Sequence, residues 1–437
     1  MLLYSFGLFL ALLAAAPWWL VRMARGRYRS GLRQRLGQLP QGLSAFTAGR
    51  ASLWLHAVSV GELLAAAPLI HQLEAVEAQS PVVISTTTDT GQQLAAQRFP
   101  PPATIPGARR VFYWPLDFAF AVRRALSQVL PRALLLMESE LWPRMLVEAY
   151  RRGIPVIVIN GRISDRSLPR YRALRWLWRP LFRRVTLILA QSEQDAERFL
   201  AIGAQPTAVR VTGNLKFDLH ASTDTPLLHA LRDNLPSGAK VLVAGSTLEG
   251  EELVLLAAFR ALVAAGVPLV LVLAPRHPQR FDAVRTLLAS SGLPWTARSE
   301  WGLRPAAVAA GGVFLLDSIG ELASVYSLAS VAFIGGSLVD RGGHNPLEAA
   351  QFGVPVVTGP SMQNFRAIHN ELLAAQAAIV AEPEILAPVL QRLLTDGSAA
   401  AIGERARLVF AHNAGATKRC VQAIQEVLRA AQHGGRP

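Results

Sequence analysis

Two glutamate-containing segments in the first half of the chain have residue types that suit proton transfer. The segment His56–Glu62 reads HAVSVGE, and the segment Glu138–Pro143 reads ESELWP. A carboxylate can act as a general base that takes the proton from an attacking hydroxyl group. Ser59 and Glu62 also have the spacing of a capping box, which satisfies backbone amides at a helix start and needs no further function. On spacing alone, the cap is the favoured interpretation of Glu62.

Glu138 and Glu140 lie two residues apart, directly after the apolar run Leu134–Met137. Buried carboxylates are costly unless they are paired, so at least one of the two is expected to face a ligand cleft. The alternative is a helix start that carries glutamate in its first turn. The sequence pattern leaves both interpretations open.

Two segments in the second half of the chain could contact an anion. Pro275–Pro278 (PRHP) holds Arg276 between two prolines, which favours an anion contact over an ordinary surface arginine. Gly245–Glu251 (GSTLEGE) could hold a phosphate on its backbone amides, although it lacks the lysine of a P-loop.

The glycine-rich segment Gly335–Glu348 is the strongest single motif. Glycines let a backbone approach a ligand closely, Asn345 is a good N-cap, and Pro346 suits the first helical position. Glu348 then closes a capping box. The segment predicts a rigid helix N-terminus that binds a nucleotide phosphate, with a carboxylate near enough for ribose hydroxyls. A capped helix without a ligand is the alternative.

These motifs follow short apolar runs of the kind that form parallel strands buried on both faces. Helix-length stretches such as Glu62–Ala75 and Glu252–Ala265 lie between the runs, which is the pattern of repeated βαβ units. We therefore predict an α/β protein with two Rossmann-like, doubly wound domains in tandem that meet at a cleft. The predicted strands are Leu53–Val58, Val82–Ser85, Leu134–Met137, Val156–Asn160, Leu187–Ala190, Val241–Ala244, Leu269–Ala274, Val331–Ile334 and Val354–Val357.

A polar segment with Gly and Pro, residues 213–238, interrupts the pattern and predicts an interdomain linker. The expected N-terminal domain is 51–212. The expected C-terminal domain is 239–437, which ends in helical sequence over Ile402–Gln432.

Composition limits the partners of the protein. The 437 residues include 44 Lys+Arg and 30 Asp+Glu, a formal net charge of +14, so anionic partners are expected. Hydrophobic residues make up 51% and mean hydropathy is +0.29, which excludes a disordered chain and indicates contact with lipid. Cys420 is the only cysteine, which excludes an intrachain disulfide and a cysteine metal cluster and fits a reducing compartment.

The N-terminal sequence predicts a transmembrane anchor helix over residues 1–22. Leu2–Val21 carries no charge and is long enough to cross a bilayer. Trp18 and Trp19 close this stretch, and arginines follow at once in the basic juxtamembrane segment 23–50. That order places the rest of the chain on the cytoplasmic side. A cleaved signal peptide is the alternative, but its positive charge would precede the apolar stretch.

A second basic tract, residues 166–184, interleaves seven arginines with aromatic and aliphatic side chains. This pattern suits a helix that lies in an anionic lipid interface. Nucleic acid binding would use the same residue types. No groove-binding motif accompanies them, and a membrane anchor argues against a nucleic acid partner.

Five segments together resemble the 3-deoxy-D-manno-octulosonic acid (Kdo) transferase family of lipid A biosynthesis. The likeness runs in order over nearly the whole chain and includes the N-terminal anchor. The segments are His56–Glu62, Glu138–Pro143, Asn160–Ser164, Gly213–Asp218 and Gly342–Glu348.

The resemblance implies an inverting glycosyltransferase of the two-domain GT-B architecture. It would transfer Kdo from the donor CMP-Kdo to a hydroxyl group of the lipid A precursor (lipid IVA), in lipopolysaccharide core biosynthesis at the bacterial inner membrane. By resemblance, Glu62 is the base, and Glu138 and Lys216 stabilise the transition state. The implied donor-binding residues are Pro275, Arg276, Ile319, Gly320, Glu321, Asn345, Pro346, Leu347 and Glu348.

The chemistry of these residues agrees with that implication. One base opposite the leaving group suffices for inversion through an oxocarbenium-like transition state. Arg276, Lys216 and the amides near Asn345 could meet the charge of departing CMP. The sequence has no Asp-x-Asp pair, so we predict no metal requirement and no cofactor.

Two alternatives stay open. One is a GT-B lipid glycosyltransferase that uses a different nucleotide sugar, which nucleotide competition would distinguish. The other is a non-catalytic, membrane-anchored protein that binds anionic lipid, which would be expected to lack Glu62 or Lys216.

Overall fold

The computed structural model describes residues 31–218, 221–301 and 307–432. The chain divides into two compact units, one formed by Met1–Leu219 with Ala414–Pro437, and the other by His220–Asn413. Each unit contains a seven-stranded parallel sheet with helices between its strands. The predicted α/β fold with two Rossmann-like units in tandem is confirmed.

The sheet of the first unit has the strand order β3-β2-β1-β4-β5-β6-β7. Its strands are β1 Ser52–His56, β2 Val82–Thr86, β3 Val111–Tyr113, β4 Pro131–Met137, β5 Val156–Gly161, β6 Leu187–Ala190 and β7 Val209–Val211. The helices of this unit that precede residue 219 are α1 Leu32–Arg35, α2 Gly42–Thr47, α3 Val60–Val76, α4 Asp89–Arg98, α5 Ala119–Val129, α6 Pro143–Arg151, α7 Leu168–Ala173, α8 Arg175–Phe182 and α9 Glu193–Ile202.

The apolar runs form the centre of this sheet because helices cover both of its faces. All five residues of β1 are buried, and so are all six of β5. Leu53 and Leu55 belong to the core on one face, and Trp54 belongs to the core on the other. Continuous apolar strands are expected where neither face meets water.

The sheet of the second unit has the order β10-β11-β9-β8-β12-β13-β14. Its strands are β8 Lys240–Thr247, β9 Leu269–Pro275, β10 Trp295–Ala297, β11 Val313–Leu315, β12 Val331–Ile334, β13 Val356–Thr358 and β14 Ala378–Val380. Its helices are α10 Pro226–Asn234, α11 Glu251–Ala264, α12 Phe281–Ser290, α13 Leu322–Val325, α14 Leu347–Ala350, α15 Arg366–Ala374, α16 Leu386–Thr395 and α17 Ala399–Asn413.

The last helix, α18 (Ala416–Gln432), belongs to the first unit, whereas the sequence placed it with the second domain. The helical sequence predicted over Ile402–Gln432 is broken before α18, where Gly415 has a φ of 86°. Ile424 and Leu428 of α18 are buried in the core that also contains residues of α3. This apolar face explains why the chain returns to the first unit.

Seven 3₁₀ turns complete the described chain. They are Pro206–Ala208, Leu215–Asp218, Pro278–Arg280, Arg298–Glu300, Tyr326–Leu328, Gln363–Phe365 and Pro383–Ile385. Five strands were not predicted from the sequence, namely β3, β7, β10, β11 and β14. Each has only three residues, which is too short to give a clear hydrophobic pattern.

The region predicted as a juxtamembrane segment contributes to the first unit. Within residues 31–50, Leu39, Leu43 and Phe46 are buried in its core. No helix among the described residues is long and apolar enough to cross a membrane. The predicted anchor, Leu2–Val21, lies outside the described residues.

Candidate active site

The topology of the first unit places two of the predicted motifs side by side. β1 and β4 are neighbours, and the strand order reverses between them, since β2 and β3 lie on the other side of β1. Ligands of doubly wound sheets bind at this point, beyond the carboxyl ends of the strands. The segments that follow β1 and β4 carry Glu62 and Glu138.

Glu62 forms the predicted cap at the start of α3. The Ser59 hydroxyl accepts a hydrogen bond from the Glu62 amide at 3.4 Å. In return, the Glu62 carboxylate accepts from the Val58 amide at 2.9 Å and from the Ser59 hydroxyl at 3.0 Å. A carboxylate has about four lone-pair positions, so these two bonds fix its direction and leave capacity to accept a proton.

Glu138 begins a tight turn at the end of β4. Its φ of 55° lies in the left-handed region, which is unfavourable for a residue with a side chain. The turn closes through hydrogen bonds from the Glu140 amide to the Met137 carbonyl and from the Leu141 amide to the Ser139 carbonyl. The conformation brings both glutamates of the motif to the side of the sheet where the carboxyl ends of the strands lie.

Lys216 lies on the 3₁₀ turn Leu215–Asp218, and its Nζ is 3.6 Å from Oε1 of Glu138. Side-chain oxygens hold the turn in place. Asn160 Oδ1 accepts from the Leu215 amide, and Asn214 Oδ1 accepts from the Lys216 amide, each at 3.0 Å. The structure therefore brings the three predicted catalytic residues into one cluster.

The electrostatics of the cluster suit proton transfer. Burial raises the pKa of Glu62, and the charge of Glu138 adds to this, while hydrogen bonds from Val58 and Ser59 and the charge of Lys216 oppose it. Burial and the charge of Glu62 raise the pKa of Glu140 to about 7. A general base works best when its pKa lies near the operating pH.

Arg276 is the centre of a second group of polar residues, in the second unit. It follows β9, and its amide donates to the Thr247 carbonyl at 3.0 Å. Burial, together with the charges of Arg276 and His277, lowers the pKa of His344 to about 4. Burial raises the pKa of Glu348, and the charge of Arg276 and a hydrogen bond from Asn345 oppose this rise. The group combines a cation, a neutral imidazole and a carboxyl group.

Comparisons with known proteins identify the family. The family model "3-Deoxy-D-manno-octulosonic-acid transferase (kdotransferase)" matches residues 30–219. The 3-deoxy-D-manno-octulosonic acid transferase of Haemophilus influenzae is 33% identical over 408 residues, 92% of each chain. The enzyme of the same name from Bordetella pertussis is 36% identical over 431 residues, 96% of this chain and 98% of the relative. The chain belongs to the 3-deoxy-D-manno-octulosonic acid transferase family.

The fold of this Kdo transferase family member is also seen in solved structures. A putative UDP-N-acetylglucosamine 2-epimerase from Listeria monocytogenes has a TM-score of 0.58, with 15% identity over 87% of this chain and 97% of that chain. At this identity the likeness concerns the fold alone. It supports the GT-B architecture of two Rossmann-like units.

Glu251 binds backbone amides in two of the segments that the sequence associated with a phosphate. The Glu251 carboxylate accepts hydrogen bonds from the amides of Leu248, Gly336, Ser337 and Leu338, at 2.7 to 3.0 Å. The amides of Leu248, Gly336 and Ser337 therefore already have an internal acceptor.

The expected rigid helix after Gly342 is a single turn. α14 spans Leu347–Ala350, with Pro346 at its N-cap, and Asn345 Oδ1 accepts from the Leu347 amide at 3.1 Å. Glu348 does not close a capping box, because its carboxyl group is hydrogen-bonded to the Asn345 side chain.

The other predicted donor-binding residues lie at strand ends of the same unit. Pro275 is the last residue of β9. Ile319, 68% exposed, and Gly320 lie in the loop between β11 and α13. Glu321 accepts a hydrogen bond from the Ser318 hydroxyl and forms an ion pair with Arg298 at 3.1 Å.

Asn160 and Asn214 belong to segments that carry the family resemblance, but their supporting role was not predicted. Asn160 is fully buried with a φ of 56°, and its carbonyl accepts from the Gln191 side chain at 3.0 Å. Gln191 Oε1 in turn accepts from Asn214 at 3.0 Å. A buried asparagine at the end of an apolar strand is the signal that would have indicated such a network.

Proposed function

We propose that this protein transfers Kdo from CMP-Kdo to a hydroxyl group of the lipid A precursor lipid IVA, with inversion at the anomeric carbon, in lipopolysaccharide core biosynthesis. Membership of the Kdo transferase family supports the donor and the reaction class. The observation that carries the mechanism is the cluster of Glu62, Glu138 and Lys216 where the strand order of the sheet reverses.

In the proposed reaction, Glu62 is the general base. Its carboxylate takes the proton from the acceptor hydroxyl as the acceptor oxygen bonds to the anomeric carbon of Kdo. The bond from that carbon to the phosphate oxygen breaks, and CMP leaves as an anion on the opposite face. One base suffices because inversion is a single displacement. The hydrogen bonds from Val58 and Ser59 keep the carboxylate directed during this step.

Glu138 and Lys216 act as a pair. The ammonium group of Lys216 stabilises the negative charge that develops as the phosphate leaves, and Glu138 holds that group in place. Both side chains remain partly exposed, at 34% for Lys216 and 28% for Glu138, so a substrate can reach them.

The donor is proposed to bind the second unit. Arg276 supplies the cation for the CMP phosphate, and its interaction with His344 and Glu348 places it beside further polar groups. We assign the remaining donor contacts to Pro275, to the loop Ile319–Glu321 and to the segment Asn345–Glu348.

We further propose that the protein is held at the cytoplasmic face of the bacterial inner membrane by the N-terminal anchor, residues 1–22. The helices α7 and α8 support an additional contact with anionic lipid, because they carry exposed arginines beside exposed apolar side chains. Trp176 on α8 is 73% exposed, and Leu177 next to it is 43% exposed. Aromatic and cationic side chains together suit an anionic membrane interface.

The test is transfer by the full chain from freshly generated CMP-Kdo to lipid IVA in detergent micelles, with EDTA present and the product weighed by mass spectrometry. We expect product masses increased by whole Kdo units, and inhibition by CMP but not by UDP. Transfer only from another nucleotide sugar would refute the donor assignment. Lipid binding without any transfer would favour the non-catalytic alternative, and activity that EDTA abolishes would refute the predicted metal independence.

A further inference from the structure

Three carboxyl groups in the candidate active site share one cation. Glu62 follows β1, Glu138 and Glu140 follow β4, and the ammonium group is that of Lys216. Lys216 pairs with Glu138, and its charge opposes the rise in the pKa of Glu62 that burial causes. If all three carboxyl groups were ionised, the cluster would carry two uncompensated negative charges where anionic substrates must bind.

Glu140 is the least compensated of the three. Its Oε2 accepts a hydrogen bond from the Trp142 indole at 3.1 Å, and this is the only hydrogen bond of the Glu140 side chain within the part of the chain that the structure describes. The residue lies on the tight turn after β4, between the ion-paired Glu138 and an aromatic surface. Trp142 packs against Trp114 with ring centroids 6.5 Å apart.

The charged and titratable groups that act on Glu140 come from several elements. Glu62 of α3 and Glu138 of the same turn both act on it with negative charge. Burial raises the pKa of Tyr171 on α7, and the charge of Glu140 adds to this rise, whereas a hydrogen bond with Ser139 opposes it. Lys216, the cation of the cluster, pairs with Glu138. The surroundings favour the neutral form of Glu140.

We propose that Glu140 keeps its proton up to about neutral pH in the free enzyme, and that this neutral carboxyl group keeps Glu62 ionised as the base and admits the anionic substrates. Glu140 is thus a positioning residue that acts through the charge state of Glu62. The inference rests on the proposed transfer reaction and adds a second titrating group to it.

Ionisation of Glu140 is expected to oppose the binding of anionic substrates. Burial and the charge of Glu62 raise the pKa of Glu140 to about 7. As the pH rises above about 7, Glu140 ionises and adds a negative charge beside the base.

The first test compares pH profiles of kcat/KM for wild type, Glu140→Gln and the control Glu197→Gln, which changes an exposed glutamate of α9. In wild type, kcat/KM should fall by up to about tenfold per pH unit above the pKa of Glu140. Glutamine mimics the neutral carboxyl group and does not ionise. The ratio of kcat/KM at about pH 9 to that at about pH 7 should therefore rise at least about tenfold in Glu140→Gln, and keep its wild-type value in Glu197→Gln.

A second variant keeps the test decisive if Glu140→Gln does not fold. The Trp142 hydrogen bond lowers the pKa of Glu140, so Trp142→Phe should raise that pKa and move the alkaline decline to higher pH. An alkaline decline that is the same as wild type in the folded variants would overturn the proposal. Loss of transfer at every pH in folded Glu140→Gln would also overturn it, because the ionised form would then be required.

Infrared spectroscopy measures the proton without relying on activity. Wild type should lose the carbonyl band of one protonated carboxyl group with a midpoint near pH 7, and Glu140→Gln should lack this step. If wild type transfers no Kdo at any pH, the proposed function fails and this titration alone decides the charge state of Glu140. A carboxylate at Glu140 below pH 6 would refute the inference even if wild type is fully active.

Discussion

Removing the carboxylate of Asp218 should loosen the helix α18 and with it the turn that carries Lys216. Asp218 closes the 3₁₀ turn Leu215–Asp218, and its Oδ1 accepts from the Gly415 amide at 2.6 Å. Its Oδ2 accepts from the Thr417 amide. One side chain therefore caps the N-terminus of α18 and joins it to the cluster.

The magnitude follows from these two bonds. Loss of an N-cap side chain costs about 0.5–2 kcal/mol, and a negative charge at a helix N-terminus contributes about 0.3–1 kcal/mol. Together they predict a cost of about 2 kcal/mol for Asp218→Ala, which corresponds to about a 30-fold larger opening constant for the start of α18. Asp218→Asn keeps one oxygen acceptor and should cost about half as much.

Hydrogen exchange read by mass spectrometry measures this opening directly. We expect amides in the first turns of α18 to exchange about 30-fold faster in Asp218→Ala. Asp165→Ala is the matched control, since Asp165 is 71% exposed and pairs with Arg198 at the surface, where ion pairs contribute about 0–1 kcal/mol. Equal exchange of α18 in wild type and in Asp218→Ala would refute the assignment of Asp218 as the cap.

Two further predictions test the donor site and the lipid contact. Arg276→Ala should raise KM for CMP-Kdo by about 10–100-fold through loss of a charge-assisted contact. The exposed Arg392→Ala should not, and an unchanged KM in Arg276→Ala would remove Arg276 from the site. Trp176→Ser should reduce the quenching of tryptophan fluorescence by brominated anionic lipid, because Trp176 is 73% exposed on α8. Equal quenching in wild type and in this variant would place Trp176 outside the bilayer.

The sequence predicted the long central strands because their burial leaves a direct signal. β1, β4, β5, β8 and β9 are apolar along most of their length, since helices cover both sheet faces. Apart from β13, the three-residue strands at and near the sheet edges leave no such signal. Their position depends on pairing with a neighbouring strand, such as Val313 opposite Leu271, which one sequence does not reveal.

The candidate site was predictable where it depends on chain order and not where it depends on long-range contacts. Glu62 and Glu138 follow predicted strands, so their placement at one sheet edge follows from the fold. The occupation of the glycine-rich amides by Glu251 joins residues about 85 positions apart, and it was missed. The return of α18 to the first unit was missed for the same reason. Its apolar face predicts that the helix is buried, but it does not show which unit the helix packs against.

The most direct test of the account is the rate of Kdo transfer in Glu62→Gln. Ser59→Ala is the matched control, since it removes the other half of the cap and keeps the carboxylate. We expect Glu62→Gln to bind CMP as wild type does and to lose transfer by about 10²–10⁴-fold, whereas Ser59→Ala loses some stability and keeps transfer within about tenfold. Near-normal turnover in Glu62→Gln would contradict the account and leave Glu62 as a helix cap only.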